Sequence, residues 1–287
     1  MPKTLAAKLL LGWMPKDEAI KWLEHCVFDK RLKYQDQVRL WEQYGEKVAK
    51  LEKPQQTAPA ALEFTETEKR EVDSFLNKMK SQPSGQFIRK VIKVDPRELA
   101  IHQFMVITDR SGAYAVSMTD EAQRIKHCLG IGMEFKGQQF PTRQVGNLTI
   151  VELPHAEFLL EPMPNGLNFR ERDRYIAVVE AGNRFLLWGG YHRTYAVLSQ
   201  MSPEGAGGAP LVTLIAGTAD VAGFFSLRSE RPTVRDAVLG ERPPLFRDFF
   251  DDDLAMQVQL LKQRVEVHIR PVGLGKMQAQ TIWVNET

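Results

Sequence analysis

The sequence has few cysteines, no long apolar run and almost no net charge, and each shortage excludes a class of protein. Its 287 residues include two cysteines, Cys26 and Cys128, so that one disulfide at most could form and a disulfide-rich secreted scaffold is excluded. No apolar stretch approaches the roughly 20 residues that a membrane-spanning helix requires. We therefore expect reduced thiols, a cytoplasmic location and no membrane contact.

Charge and composition are those of an ordinary globular chain. The 38 basic residues nearly balance the 36 acidic ones, and the net charge of +2 does not by itself indicate a nucleic-acid-binding protein. Hydrophobic residues make up 43% of the chain, which excludes a disordered or low-complexity protein. The length suffices for one large domain or two modest ones. None of these features identifies a function.

The spacing of apolar residues divides the chain into a helical first part and a mixed remainder. Residues 1–52 show helical spacing from the opening stretch onward, and residues 53–61 are predicted to be a linker. From Phe87 the period changes, and β-rich runs alternate with short helices. We therefore predict an α+β fold, with a helical region over residues 1–80 and a mixed α/β domain over residues 87–287.

Shorter patterns predict local structure at four places. Thr65 followed by Glu68 has the spacing of a capping box and predicts the start of a helix. Asp109–Gly112 is typical of a turn, and residues 161–166 are predicted to be a loop. Val265–Arg270 alternates apolar and polar residues and predicts a half-exposed strand.

The strongest functional signal is a glycine pair between a predicted strand and a predicted helix. Tyr175–Ala181 and Arg184–Trp188 form a predicted hairpin, and Tyr191–Gln200 forms a helix directly after Gly189 and Gly190. The start of a helix presents backbone N–H groups and a positive dipole end, and glycines let a phosphate approach the main chain. The corner therefore predicts a site for nucleotide phosphates; the alternative is a tight structural turn.

Basic side chains beside this corner extend the candidate site. His192 and Arg193 follow the glycines, and an arginine can hold phosphate oxygens through two parallel hydrogen bonds. Arg170 and Arg174 belong to an arginine-rich run over residues 168–174, just before the hairpin. That run is predicted either to contact phosphate or a DNA backbone, or to be a solvated loop, because two acidic residues offset its charge.

The segment RFLLWGGYHRTYA, from Arg184 to Ala196, resembles the core of the ParB/sulfiredoxin superfamily. Sulfiredoxins carry Gly-Gly-Cys-His-Arg after an apolar strand, and ParB proteins place Gly-x-x-Arg at the same corner. The core match spans residues 175–216 and implies a ParB/sulfiredoxin-like domain that binds a nucleoside triphosphate, in the first instance ATP with Mg²⁺. The positions implied to contact the phosphates are Gly189, Gly190, Tyr191, His192 and Arg193.

One departure from the family narrows the chemistry. Tyr191 stands where sulfiredoxins have their catalytic cysteine, and a phenol with a pKa near ~10 is a poor substitute for a thiolate. Reduction of sulfinic acids is therefore not expected. The resemblance instead implies a weak ATPase, or nuclease-type phosphoryl transfer in a DNA-associated regulator. Arg193 would stabilise developing charge and His192 would position water. The sequence offers no evident general base.

A second class of function is left open by the helical region. A catalytically degenerate scaffold could bind protein partners through residues 1–50, which carry Trp13, Trp22 and Trp41. The same helices could equally be a cap that packs on the α/β domain. The sequence does not separate these two interpretations.

Three further patterns have structural interpretations. The acidic cluster formed by Asp248 and Asp251–Asp253 is predicted to begin a helix over Leu254–Lys262, with a Mg²⁺ site as the alternative. Residues 220–225 and 233–238 are too far apart for a helix-turn-helix and are predicted to be two packing helices. The histidines show no spacing typical of zinc ligands, and no metal site is predicted among them.

Overall fold

The computed structural model has a mixed α+β fold, as predicted. The chain forms a large compact unit, Leu5–Met133 with Arg174–Leu260, and a small compact unit, Met1–Thr4 with Glu134–Asp173 and Leu261–Thr287. The residues that the structure describes are 3–28, 31–52, 61–81, 88–112, 121–131, 141–153, 158–163, 166–171, 175–181, 184–200, 212–217, 236, 238–272 and 277–285.

Helices and strands alternate irregularly along the described chain. The helices are α1 (Lys16–Glu24), α2 (Tyr34–Ala49), α3 (Glu66–Met79), α4 (Thr108–Gly112), α5 (Glu121–Leu129) and α6 (Tyr191–Gln200). The strands are β1 (Thr4–Leu9), β2 (Lys90–Val94), β3 (Ala100–Ile101), β4 (Met105–Ile107), β5 (Thr142–Val145), β6 (Leu148–Leu153), β7 (Phe158–Met163), β8 (Gly166–Glu171), β9 (Ala177–Ala181), β10 (Arg184–Gly189), β11 (Val212–Gly217), β12 (Met256–Leu261), β13 (Gln263–Pro271) and β14 (Met277–Asn285).

A five-stranded sheet in the order β2-β11-β9-β10-β3 forms the centre of the large unit. β9 and β10 are the predicted antiparallel hairpin, with Arg184 opposite Ala181. β10 runs parallel to β3, and β11 runs parallel to β9. Val178, Leu186 and Leu187 are fully buried, as expected for apolar runs in central strands. The parallel pairing brings the carboxyl ends of β3 and β10 to the same edge of the sheet.

The opening stretch of the chain is a strand, so the helix predicted there is wrong. β1 pairs antiparallel with β4, with Ala7 opposite Ile107. Ala7 and Leu9 are buried, and Lys8 between them is not. A short run with apolar residues at both two-residue and four-residue spacing fits a helix or a strand equally well. Pairing with β4, which is distant in sequence, decides between them.

Helices α1 and α2 pack on the core of the large unit. A Cβ on Gly12 would lie 2.5 Å from the carbonyl oxygen of Tyr44, which shows how closely α2 approaches. The Trp41 indole N–H donates to the carbonyl oxygen of Met14 at 2.9 Å. The helical region therefore belongs to the same compact unit as the central sheet, and the division predicted after residue 80 is not a boundary between units.

The small unit contains the antiparallel sheet β14-β13-β6-β5 and the hairpin β7-β8. β13 is a strand, as predicted, and Val265, Val267 and Ile269 are buried, but Glu266 is also only 3% exposed, so the predicted half-exposed alternation begins at His268. On the other face of β13, Glu266 pairs with Arg143 at 3.0 Å and lies 2.8 Å from a ring nitrogen of His268. The sheet thus has one apolar face and one polar face.

Several predicted boundaries differ from the structure. The domain predicted over residues 87–287 is interrupted, because two of its segments fold in the small unit. Residues 161–163, predicted to be part of a loop, belong to β7. Residues 256–261 form β12 in place of the helix predicted over Leu254–Lys262, and the predicted turn at Asp109–Gly112 is part of α4. Each of these segments is short, and its neighbours in space decide its conformation.

The predicted capping box at the start of α3 is confirmed. The Thr65 hydroxyl accepts a hydrogen bond from the Glu68 amide, and the Glu68 carboxylate accepts one from the Thr65 amide. The same carboxylate pairs with Lys93 of β2 at 2.7 Å, and both side chains are buried. Glu68 therefore both caps α3 and forms an ion pair between α3 and the central sheet.

Candidate functional site

The glycine corner has the strand–turn–helix form that the sequence predicts. β10 ends at Gly189, and α6 begins at Tyr191. Gly190 has φ +90°, and a Cβ there would lie 2.9 Å from the Cα of Ile176. No L-residue fits this position without strain, and glycine is required. A Cβ on Gly189, in contrast, would meet no described atom within 4 Å, while the main chain of Gly189 is paired with Ala177 of β9.

The corner lies at the carboxyl edge of two parallel strands. Leu187 of β10 is opposite Ile101 of β3, so the segment after β3, His102–Gln103, lies beside the corner after β10. In open α/β sheets, ligands bind outside the carboxyl ends of strands, where helix starts and loops meet. The location of Gly189 and Gly190 is therefore typical of a ligand site.

The side chain of Tyr191 connects the two strand ends. Its hydroxyl accepts hydrogen bonds from the amides of His102 and Gln103, at 3.0 and 3.1 Å. The same hydroxyl donates to the carbonyl oxygen of Leu187 at 3.1 Å. Tyr191 is 4% exposed, and its ring lies edge-on to the ring of His102. The sequence predicts a phosphate contact for Tyr191, whereas the structure gives its side chain an internal, structural role.

We expect Tyr191→Phe to lower the free energy of unfolding by about 2 kcal/mol, because two amide donors and one carbonyl lose their partner. Tyr195→Phe is the matched control, since the Tyr195 ring stacks on Phe250 and its hydroxyl has no hydrogen bond to any described residue. Urea unfolding of both variants makes the comparison. Equal stability of the two variants would show that the Tyr191 hydroxyl contributes nothing.

His192 faces the junction between β4 and α4. Its Nε2 accepts a hydrogen bond from the Ile107 amide at 3.3 Å, and the ring is half-buried. An imidazole that accepts through Nε2 is neutral and carries its proton on Nδ1. This hydrogen bond connects the first turn of α6 to the end of β4. His192 therefore helps to position the glycine corner.

Arg193 points into the protein. It is 4% exposed, and its guanidinium donates to the carbonyl oxygen of His127 at 3.2 Å, in the last turn of α5. A cation is favourable at the carboxyl end of a helix. The side chain therefore fixes α6 against α5, which differs from the predicted contact with phosphate. The residue type of Arg193 predicts a phosphate ligand, because its packing against α5 has no signal in the sequence.

The buried position of His127, beside Arg193, makes the stability of the fold depend on pH. Burial, and then the charge of Arg193, lower the pKa of His127 from 6.5 to about 4. The unfolded chain therefore binds a proton between these values that the folded chain does not, so stability is complete above pH 6.5 and falls as the pH drops towards 4. The lowered pKa of His127 corresponds to a loss of stability of about 3 kcal/mol at most at low pH.

We expect His127→Phe to flatten the stability profile between pH 6.5 and 4.5 relative to the wild type, because the substituted ring does not titrate. Urea midpoints measured across this range give the profile. Burial raises the pKa of Asp248, which makes the fold more stable as the pH falls and so opposes the effect of His127. Asp248 is present in both proteins, so its contribution cancels when the two stability profiles are subtracted. Parallel profiles for the two proteins would contradict the assignment to His127.

The structure does not describe the side chains of the two other predicted phosphate ligands. Arg170 lies in β8 of the small unit, where the backbone alone is described, and Arg174 lies outside the described residues. Their predicted role stays a prediction. The two segments of the helix-turn-helix alternative, 220–225 and 233–238, fall almost entirely outside the described residues.

The acidic cluster is used within the fold. Asp248 is buried and pairs with Arg242 at 2.9 Å, and Asp252 pairs with Lys8 at 3.6 Å. In the described part of the chain, no group of three or more His, Cys, Asp or Glu side chains is arranged to hold a metal ion. The Mg²⁺ alternative for this cluster thus finds no support among the described residues.

Both cysteines are free thiols. Cys128 is fully buried, and burial raises the pKa of the Cys26 thiol to about 12. A thiol is nucleophilic as its thiolate, so the Cys26 side chain is not suited to nucleophilic catalysis at neutral pH. Free thiols agree with the reduced state that the sequence analysis expects.

The chain matches no protein-family model, no curated protein and no solved structure. No helix among the described residues combines the length and the apolar character needed to cross a membrane. Functional inference therefore depends on the corner itself, and on its resemblance in sequence to the ParB/sulfiredoxin motif.

Sequence reasoning missed the residues that hold the corner in place. The amides of His102 and Gln103 are 89 and 88 residues away from Tyr191 along the chain. His102 and Gln103 act here through their main-chain amides. Every residue except proline has such an amide, so the residue types at these positions do not indicate the contact. The two-residue strand β3 that brings them there is too short to show a period.

Proposed function

We propose that this protein binds the polyphosphate of a nucleoside triphosphate at the Gly189–Gly190 corner, as a ParB/sulfiredoxin-like nucleotide-binding protein. ATP is the first candidate, with Mg²⁺ entering as the counter-ion of the phosphates. The observation that carries the proposal is the space beside Gly189, where an added Cβ would meet no described atom within 4 Å, directly before the positive end of the ten-residue helix α6.

The geometry around Gly190 supports this proposal. Its positive φ and its contact with Ile176 require glycine, and among the described residues no main-chain oxygen accepts from its amide. A main-chain amide at the start of a helix is a donor suited to phosphate oxygens. The neighbouring strand end at His102–Gln103 adds a second wall to the same edge of the sheet.

The roles of the motif residues change in this proposal. Gly189 and Gly190 form the phosphate cradle. Tyr191 and Arg193 stabilise it through their hydrogen bonds to the end of β3 and to α5. His192 lies between these roles, because its ring is half-buried and bonded to the Ile107 amide. We propose binding without hydrolysis, since Arg193 donates to the carbonyl oxygen of His127 in α5 and is not placed to stabilise developing charge at the corner.

We expect ATP, CTP or GTP with Mg²⁺, at a concentration about 100-fold above Kd, to raise the melting temperature of the wild type by about 5 °C. Gly189→Val should abolish this shift and leave the fold intact. Its side chain occupies the open space in front of the corner, and its position does not require positive φ. Differential scanning fluorimetry measures both effects.

Gly45→Ala serves as a second glycine variant, at a half-buried position of α2 where the new Cβ would meet no described atom of another element within 4 Å. It should keep the full nucleotide shift. Absence of a shift with all three nucleotides would contradict the proposed function, and so would an equal shift in Gly189→Val. A response to one nucleotide alone would identify the base preference.

A further inference from the structure

Two aromatic side chains stack on each other next to α6, in the large unit. The ring centre of Tyr195 lies 4.7 Å from that of Phe250, and the two ring planes are 16° apart. Phe250 is 38% exposed, whereas Phe246 and Phe249 of the same short helical turn are fully buried. Phe250 is therefore not part of the core that its two neighbours fill, and its ring is accessible to a ligand.

This aromatic pair lies close to the glycine corner. Tyr195 follows Gly190 by five residues, which correspond to about 7.5 Å along the axis of a helix. Residues three apart are neighbours on a helix surface, so Tyr195 lies beside His192. In a nucleotide the base is separated from the phosphates by the ribose. A nucleotide with its phosphates at the corner can therefore bring its base to the aromatic pair.

A cation from a neighbouring strand adds a hydrogen-bond donor to this surface. The Lys8 ammonium lies 5.9 Å from the centre of the Phe250 ring and 3.6 Å from a carboxylate oxygen of Asp252. Lys8 belongs to β1, which pairs with β4, and the end of β4 is bonded to His192. Its side chain is only 12% exposed, so the ammonium is held in place by the packing of its stem.

We propose that Tyr195 and Phe250 form a subsite for the base of the nucleotide, and that this subsite prefers purines. It rests on the proposed binding of a triphosphate at the corner, and it concerns the part of the ligand that the corner does not contact. Aromatic side chains stack on nucleobases, and a purine offers a larger ring system for stacking than a pyrimidine. A purine also carries the N7 acceptor, which suits the Lys8 ammonium.

A nucleobase fits this surface better than an apolar segment of a protein. Lys8 and Asp252 place charges at the border of the exposed Phe250 ring. The centre of a protein interface is depleted of charged residues and extends over many side chains. Stacking of a base needs one aromatic face, and it tolerates polar groups at the edge of the ring.

Calorimetric titration of the full chain with ATP, CTP and inorganic tripolyphosphate, each with Mg²⁺, separates the subsite from the corner. Tripolyphosphate has the phosphates of a nucleotide without ribose or base, so it reports on the corner alone. We expect ATP to bind the wild type about tenfold more tightly than tripolyphosphate, with CTP between them. Phe250→Leu removes the ring but keeps an apolar side chain. It should raise the Kd of ATP about tenfold and leave the Kd of tripolyphosphate unchanged.

Two further variants serve as controls. Phe250→Trp keeps an aromatic ring and should retain the tight binding of ATP. Tyr34→Leu removes the ring of an exposed tyrosine at the start of α2 and should leave the affinity for all three ligands unchanged. The unchanged affinity of Phe250→Leu for tripolyphosphate shows at the same time that this variant is folded.

The failure of the subsite and the failure of the corner give different results. Equal affinities of the wild type for ATP and tripolyphosphate would overturn the subsite and leave the phosphate cradle intact. An ATP affinity that Phe250→Leu does not change would do the same, and CTP binding as tight as ATP binding would overturn the preference for purines. If neither ATP nor tripolyphosphate binds, the proposed function itself is contradicted, and the subsite with it.

Discussion

Replacing Gly190 by alanine is expected to lower the free energy of unfolding by about 4 kcal/mol. Two costs add at this position. The backbone has φ +90°, where a residue with a Cβ is strained, and the new Cβ would lie 2.9 Å from the Cα of Ile176. The Cα of Ile176 is a main-chain atom, so it cannot move away through a change of side-chain rotamer. Strand β9 and the start of α6 would have to separate.

Two other glycines provide matched controls for this result. Gly189→Ala should change stability by less than about 1 kcal/mol, because its Cβ would meet no described atom within 4 Å. Gly45→Ala, within α2, should raise stability by about 0.5–1 kcal/mol, since alanine favours the helix. Urea unfolding of the three variants gives the comparison. If Gly190→Ala proved as stable as Gly189→Ala, the described geometry of the corner would be contradicted.

Loss of the buried ion pair between α3 and β2 is expected to have an effect of similar size. Lys93 and Glu68 are 2.7 Å apart, with side chains 5% and 1% exposed. We expect Lys93→Met to cost about 3–5 kcal/mol, because it leaves the Glu68 carboxylate buried without its closest cation. The guanidinium of Arg124, 3.9 Å from Glu68, compensates in part.

A double-mutant cycle separates the pair from the packing around it. Lys93→Met with Glu68→Leu should cost less than the sum of the two single substitutions, by about 2 kcal/mol or more. Lys69→Met is the control, because Lys69 and Glu66 are also 2.7 Å apart on α3 but have exposed side chains. That substitution should change stability little. Additive effects at positions 68 and 93 would contradict the proposed coupling.

The parts of the fold that the sequence predicted are those fixed by neighbouring residues. Thr65 and Glu68 form their capping box within one helical turn, and β9, β10 and α6 follow each other with no long connection. Here the residue types and the contacts they make are close together in the chain. Local patterns therefore suffice to place the corner and the helix after it.

Contacts between distant segments decided the features that the sequence did not predict. β1 is a strand because β4, about a hundred residues later, pairs with it. Arg193 is buried because α5 lies under α6, and Tyr191 is bonded to amides at the end of β3. In each case the residue type suggested a different role, and packing against a remote element determined the actual one.

The central claim, that Gly189 and Gly190 form a phosphate cradle, is tested most directly by nuclear magnetic resonance of the glycine amides. Selective ¹⁵N labelling gives signals for 20 glycines, and the variants Gly189→Val and Gly190→Ala identify those of the corner. We predict that titration with Mg²⁺ and ATP, CTP or GTP shifts the Gly190 signal saturably, while the signal of Gly45 stays in place. If no nucleotide moves the Gly190 signal, the account of this corner as a nucleotide site is contradicted.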